Sequence, residues 1–124
     1  FKQNNKTPVF FIEKDNRELK NKIQKLIPYS LFPEHESSLA SPALVTCLGR
    51  RLDFAITIDN GVMHMLSLST VPMISLFGPT ESEKFAPGYN KSITLDSKKI
   101  HNTKNISAIT VEDVLKAAKQ FANF

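Results

Sequence analysis

The hydrophobic positions of this chain come as short continuous runs, each broken off by charges or turn residues. Residues 8–12 (Pro-Val-Phe-Phe-Ile), 54–58 (Phe-Ala-Ile-Thr-Ile) and 73–77 (Met-Ile-Ser-Leu-Phe) are the clearest, with 29–32 and 92–95 weaker. Continuous rather than alternating apolar runs of this length predict strands buried on both faces. Between them the spacing turns helical. Residues 16–27 are charged, with Ile23, Leu26 and Ile27 as an apolar stripe, and Pro28 ends the segment. Residues 42–52 predict a helix with Ser41 as N-cap and Pro42 in the first helical position. Residues 63–69 suit a short helix. Thr110 caps a last one that runs to about Phe121, with Asp113 completing an approximate capping box. Its apolar face holds Val114, Leu115, Ala118 and Phe121. Residues 33–41 read as a polar loop, and residues 98–107 as a polar connection whose structure the pattern leaves open. Strands alternating with helices predict βαβ crossovers and a mainly parallel sheet covered on both faces, an α/β fold.

Composition narrows the class. The 124 residues are 41% hydrophobic and 23% charged, close to globular averages, so wholesale disorder and fibrous designs are excluded. That length is one domain's worth of chain, a single unit over residues 1–124. No apolar run approaches the roughly 18–20 residues that span a bilayer. The start, Phe1-Lys2-Gln3-Asn4-Asn5, has neither an initiator methionine nor an apolar signal segment, and reads as a processed or cut end of something longer. Cys47 has no partner for an intrachain disulfide, as in a reducing compartment, and its neighbours Leu44, Val45 and Leu48 predict a buried packing thiol. Net charge is +4, with the excess concentrated in residues 1–25, which hold seven basic and three acidic side chains. Arg17, Lys20, Lys22 and Lys25 fit a solvated helix face. Basic residues interleaved with aromatics, as nucleic-acid binding would require, are missing.

Candidate chemistry lies in the loops, because open α/β sheets bind ligands beyond the carboxyl ends of their strands. Asp59-Asn60-Gly61-Val62-Met63-His64 follows the run 54–58. Asp59 would stand at the strand tip, and Gly61 would let the backbone approach a ligand closely. Unpaired N–H groups of the following helix would seat a phosphate, with His64 donating to the same anion. Equally, Asp59 or Asn60 is a helix cap and His64 a surface histidine. Gly78-Pro79-Thr80 follows the run 73–77, and Thr80 with Glu83 fits a capping box that aims a second helix start at the same crevice, or is purely structural. Elsewhere, His35 lies between two glutamates in a solvent-exposed setting, and His101 is isolated among Lys and Asn. The histidines have no metal-ligand spacing. Gly-x-Gly-x-x-Gly, Walker and Gly-x-Ser-x-Gly patterns are missing.

These loops resemble a known signature. Ile58-Asp59-Asn60-Gly61-Val62-Met63-His64, followed by Val71-Pro72-Met73-Ile74-Ser75-Leu76-Phe77-Gly78-Pro79-Thr80, resembles the bacterial lipopolysaccharide heptosyltransferase-like family of glycosyltransferases. There a strand ends in Asp-(Thr/Ser)-Gly-x-x-His, and the next has the form Pro-x-(Ile/Val)-x-(Leu/Ile)-(Phe/Tyr)-Gly-Pro-Thr. The match covers about residues 54–88, and the last helix suits the family's C-terminal end. The resemblance implies a Rossmann-like three-layer sandwich, the C-terminal, donor-binding lobe of a GT-B glycosyltransferase. It implies an inverting transfer of sugar from a nucleotide-diphosphate donor to a saccharide or lipid-linked acceptor, in lipopolysaccharide or cell-surface glycan synthesis, with no metal or other cofactor. Asp59 would hold hydroxyls of the donor sugar, Gly61 and the N–H groups after it the diphosphate, and His64 the leaving nucleotide. Asn60, Gly78 and Thr80 would shape the same pocket.

The departures from that pattern are specific. Asn60 stands where Thr or Ser is usual, Glu13-Lys14-Asp15 replaces a glycine pair, and Ser69-Thr70 replaces an Ala-Gly ending. The family's general base is an aspartate of the N-terminal lobe, so no catalytic residue is expected in this chain and no turnover by it alone. The implied location is cytoplasmic, with the full-length protein peripheral at the inner membrane, and no nucleic acid as partner. The other readings are a non-catalytic α/β module binding a phosphate ligand or a protein, and a receiver-like domain for which Glu13 and Asp15 are a faint echo.

Overall fold

The computed structural model describes residues 5–36, 42–89 and 91–121, so the expected cap at Ser41 lies outside the described residues. The chain divides into two compact units between Leu44 and Val45.

In the first unit, helix α1 (Arg17–Leu26) forms where the charge pattern predicts it. Arg, Glu, Leu, Lys and Gln are strong helix formers. The Asn16 side chain accepts from the Leu19 N–H at 3.2 Å, Glu18 lies in the first turn and Lys25 in the last, and the helix ends at Ile27 before Pro28. The basic side chains are solvated as expected, except that Lys20 is half-buried, donating to Gln24 at 2.7 Å and lying over the Phe32 ring. The stripe is less complete than expected, because Leu26 is 75% exposed. The expected strands at 8–12 and 29–32 reduce to one parallel bridge, Val9 with Leu31. Two backbone hydrogen bonds hold it, Phe10 N–H to Leu31 at 2.9 Å and Leu31 N–H to Pro8 at 3.0 Å. Prolines explain the brevity. Pro8 has no N–H to continue the ladder, and the partner segment is confined between Pro28 and Pro33. Instead of continuing as loop, residues after Phe32 form a single-turn helix, α2 (Pro33–Glu36), with Pro33 in its first position and the Glu36 carboxylate accepting the Phe32 N–H at 3.3 Å.

Helix α3 (Pro42–Gly49) carries the chain into the second unit. It ends three residues before the expected Leu52. Cys47 is exposed on it, contrary to the expected buried thiol, because Val45 and Gly49, one turn apart, take the buried positions. Gly49 is required by close approach: a Cβ there would lie 2.9 Å from the Ser69 Cβ and 3.1 Å from Leu66.

The second unit is built on a three-stranded parallel sheet in the order β1 (Ala55–Ile58), β2 (Met73–Phe77), β3 (Ser92–Asp96). Helix α4 (Gly61–Ser67) joins β1 to β2, α5 (Ser82–Phe85) lies between β2 and β3, and α6 (Ser97–Ile100) follows β3 directly. A 3-10 turn at Ile106–Ala108 leads into the last helix, α7 (Val111–Ala118). This is the predicted α/β fold with a parallel sheet. The expected connection at 98–107 is ordered, and Ser97 and Asn105 cap or close its turns.

β2 is central and buried on both faces, which explains why its sequence runs apolar without alternation. Met73, Ser75 and Phe77 project to one face and Ile74 and Leu76 to the other. Ile74 forms a core cluster with Ala117 and Ala118, against which Phe54, Leu76, Ile93, Leu95, Val114 and Phe121 pack. The buried face of α7 is thus Val114, Ala117 and Ala118, and the helix stops at Ala118, short of the expected Phe121, which packs on the same cluster from beyond its end. Leu115, expected among them, is exposed. Burying a side chain the size of Phe77 or Met73 stabilises by about 1.5–3 kcal/mol. By contrast Ile56 and Ile58 on β1 remain 40% and 51% exposed, and β1 pairs on one edge only among the described residues.

Candidate functional site

Register places the candidate loops side by side. In the parallel ladder Ile58 is level with Leu76, and Phe77 is level with Asp96. The residues that follow, Asp59 after β1 and Gly78 after β2, therefore leave the same end of the sheet from adjacent strands, about 5 Å apart. A third segment, Asp96-Ser97-Lys98, leaves that end from β3.

The first loop is short. Asn60 is extended (φ −157°, ψ −178°) and is the N-cap of α4, its Oδ1 accepting the Met63 N–H at 3.1 Å. The helix starts at Gly61, two residues earlier than expected, which puts His64 on its fourth residue. Met63 and Leu66 turn into the core while Gly61 and His64 are exposed and Asp59 is half-buried. Neither the Asp59 carboxylate nor the His64 ring is engaged by another described residue. Asn60 thus acts as the cap, one of the two roles open to it from sequence.

The second loop is held more tightly. Gly78 is buried, and a Cβ there would lie 2.8 Å from the Lys104 carbonyl oxygen and 2.9 Å from the Ile106 Cβ, so only glycine fits against that segment. The capping box expected between Thr80 and Glu83 does not form. α5 starts at Ser82 with Glu81 at the N-cap position and no side-chain cap. Glu83 instead pairs with Lys99 at 3.0 Å, on the surface. The Thr80 carbonyl accepts from Lys98 Nζ at 2.7 Å, and the Gly78 carbonyl accepts from the same ammonium.

Lys98 belongs to a group that sequence reasoning missed. Asp96 is only 3% exposed, yet both carboxylate oxygens are served: Oδ2 by the Ser82 hydroxyl at 2.6 Å, Oδ1 by the Lys98 N–H at 2.9 Å and by Lys98 Nζ at 3.1 Å. Burial by itself pushes this carboxyl up, but the hydrogen bonds from Ser82 and Lys98 and the lysine charge outweigh it and hold Asp96 below the usual carboxylate range. A cavity of about 170 Å³ beside this group is lined by Glu81, Ser82, Glu83, Asp96, Lys98 and Lys99. Asp59 and His64 do not line it. The available signal was Asp-Ser-Lys directly after an apolar run, an acid and a base at a strand end.

The other histidines find structural roles. His35 is half-buried with Nε2 3.1 Å from the Glu13 carbonyl, rather than solvent-exposed. His101 is not isolated, since its Nε2 lies 2.7 Å from Asp113 Oδ2. Among the described residues no cluster of three or more His, Cys, Asp or Glu could hold a metal ion. No helix among them is long and apolar enough to cross a membrane.

Comparison with known proteins supplies the relationship. No curated protein matches the chain at a significant level. Among solved structures, a glycosyl transferase family 9 crystal structure from Veillonella parvula DSM 2008 is similar in fold, with a TM-score of 0.75 and 24% identity. The similarity covers 93% of this chain but 36% of that one, so the present chain spans little more than a third of its relative's length. The sequence model described as glycosyltransferase family 9 (heptosyltransferase) matches residues 12–116, most of the chain and both strand-end loops. The chain belongs to glycosyltransferase family 9, the heptosyltransferase family.

Proposed function

We propose that this chain binds the nucleotide-diphosphate sugar donor of an inverting glycosyltransferase that builds lipopolysaccharide or another cell-surface glycan in the cytoplasm. The observation that supports it most is the emergence of Asp59–His64 and Gly78–Thr80 from adjacent parallel strand ends, in a chain of this family. In this reading the half-buried Asp59 accepts hydrogen bonds from sugar hydroxyls. Gly61, lacking a side chain, lets the diphosphate approach the backbone N–H groups. His64 donates to a phosphate oxygen and offsets the charge that develops on the leaving nucleotide diphosphate. Asn60 fixes the start of α4 beneath them, and Gly78 and Thr80 form the neighbouring wall. Charge stabilisation by these groups requires no metal in this scheme. The saccharide or lipid-linked acceptor and the general base belong to an N-terminal lobe, so this chain binds donor without turning it over.

Isothermal titration with UDP-, GDP- and ADP-linked sugars tests the reading. One nucleotide class is expected to bind saturably, and His64→Ala to weaken that binding about tenfold or more, as expected for a lost charge-assisted hydrogen bond. Equal affinity of the variant and the parent would remove His64 from the site.

A further inference from the structure

We propose that Lys98 is the positioning residue of the Gly78-Pro79-Thr80 loop, and that its ammonium sets the peptide planes which face the donor. The inference rests on the donor-binding reading above. A lysine ammonium has three protons. Here three acceptors meet it: Asp96 Oδ1 at 3.1 Å, the Thr80 carbonyl at 2.7 Å and the Gly78 carbonyl. None is left for a ligand, so Lys98 acts through the loop and not on the donor.

The geometry of the loop follows. A trans peptide places the N–H opposite its carbonyl. With the Thr80 carbonyl turned to Lys98, the Glu81 N–H points the other way, and no described group accepts from it. The Gly78 carbonyl is fixed in the same manner, which leaves the Pro79 ring exposed on the far side. Lys104 and Ile106 back the loop where Gly78 has no side chain. Lys98 is itself anchored, because Asp96 is held between the Ser82 hydroxyl, the Lys98 N–H and the Lys98 ammonium at the end of β3. Asp96 is level with Phe77, the last residue of β2. The buried carboxylate therefore transmits the register of the sheet to the loop.

The test uses the 124-residue chain labelled with ¹⁵N, as wild type and as Lys98→Met, which keeps the length of the stem. Amide relaxation gives order parameters, and titration with UDP-glucose, GDP-mannose and ADP-glucose gives affinity. In the wild type the Thr80 and Glu81 amides should show rigid-backbone values near about 0.85, and in Lys98→Met values below about 0.6. Strands β1 and β2 should keep theirs, and donor affinity should fall about tenfold. Unchanged order at Thr80 and Glu81 would overturn the positioning role. So would a loosened loop with unchanged affinity for a donor that binds the wild type. A wild type that binds none of these nucleotide sugars would overturn the donor reading, and that result needs no variant to be seen. Should Lys98→Met fail to fold, Ser82→Ala frees one oxygen of Asp96 and is expected to loosen the same amides to a smaller degree, with no change again overturning the proposal.

Discussion

Thr70 holds a left-handed backbone, φ +55°, immediately before the Val71-Pro72 entry to β2. A β-branched side chain is strained there, whereas glycine is not. The family pattern has Ala-Gly at this point, so the departure noticed in the sequence is a steric cost in the fold. Thr70→Gly is expected to raise stability by about 1 kcal/mol, less the entropy glycine loses on folding, read as a higher urea midpoint at unchanged slope. A lower midpoint would show that Thr70 has a compensating contact. At this scale the sequence was only partly legible. Asp59, Gly61 and His64 could be placed because turn residues follow an apolar run. Lys98 could not, since its partners Gly78 and Thr80 are backbone carbonyls 20 and 18 residues away that carry no sequence mark. Cys47 misled because apolar neighbours in sequence are not neighbours on a helix face.

Among elements, the start of α7 formed as local chemistry predicts. The capping box of α7 is complete: the Thr110 hydroxyl accepts the Asp113 N–H at 3.1 Å and Asp113 accepts the Thr110 N–H at 2.9 Å. Asp113 also meets His101 across 2.7 Å, and that hydrogen bond, with those of Thr110, lowers its pKa from the ordinary 3.8 to about 2. A depressed carboxylate stabilises above its unfolded pKa and ceases to do so as pH falls through its folded value. Native stability should therefore decline between about pH 4 and about pH 2, and Asp113→Asn should flatten that decline when urea midpoints are compared across the window. Asp96 contributes with the same sign and is common to both proteins. An equal decline in the variant would mean that Asp113 is not among the groups responsible. β1, β2, β3 and α1 were legible for a similar reason, as continuous apolar runs or strong helix formers bounded by stop signals. The bridge at Val9 was not, because its partner Leu31 is remote in sequence, and the box at Thr80 did not form because α5 starts at Ser82 and Glu83 pairs with Lys99 instead.

For the molecule as a whole, the class was legible because alternating runs leave few topologies open, and a parallel sheet is what results. The strand-end motifs pointed to the family, and the match over residues 12–116 bears this out. Which groups share one end of the sheet depended on register, and there the structure adds a third strand end, at Asp96, to the two read from sequence. Donor is proposed to bind across the first two of these ends. This is tested most directly by following the backbone amides of the ¹⁵N-labelled chain during titration with nucleotide-diphosphate sugars. Saturable shifts concentrated at residues 59–64 and 78–82 are expected. Binding that shifts other surfaces and leaves both loops unmoved would contradict the proposal.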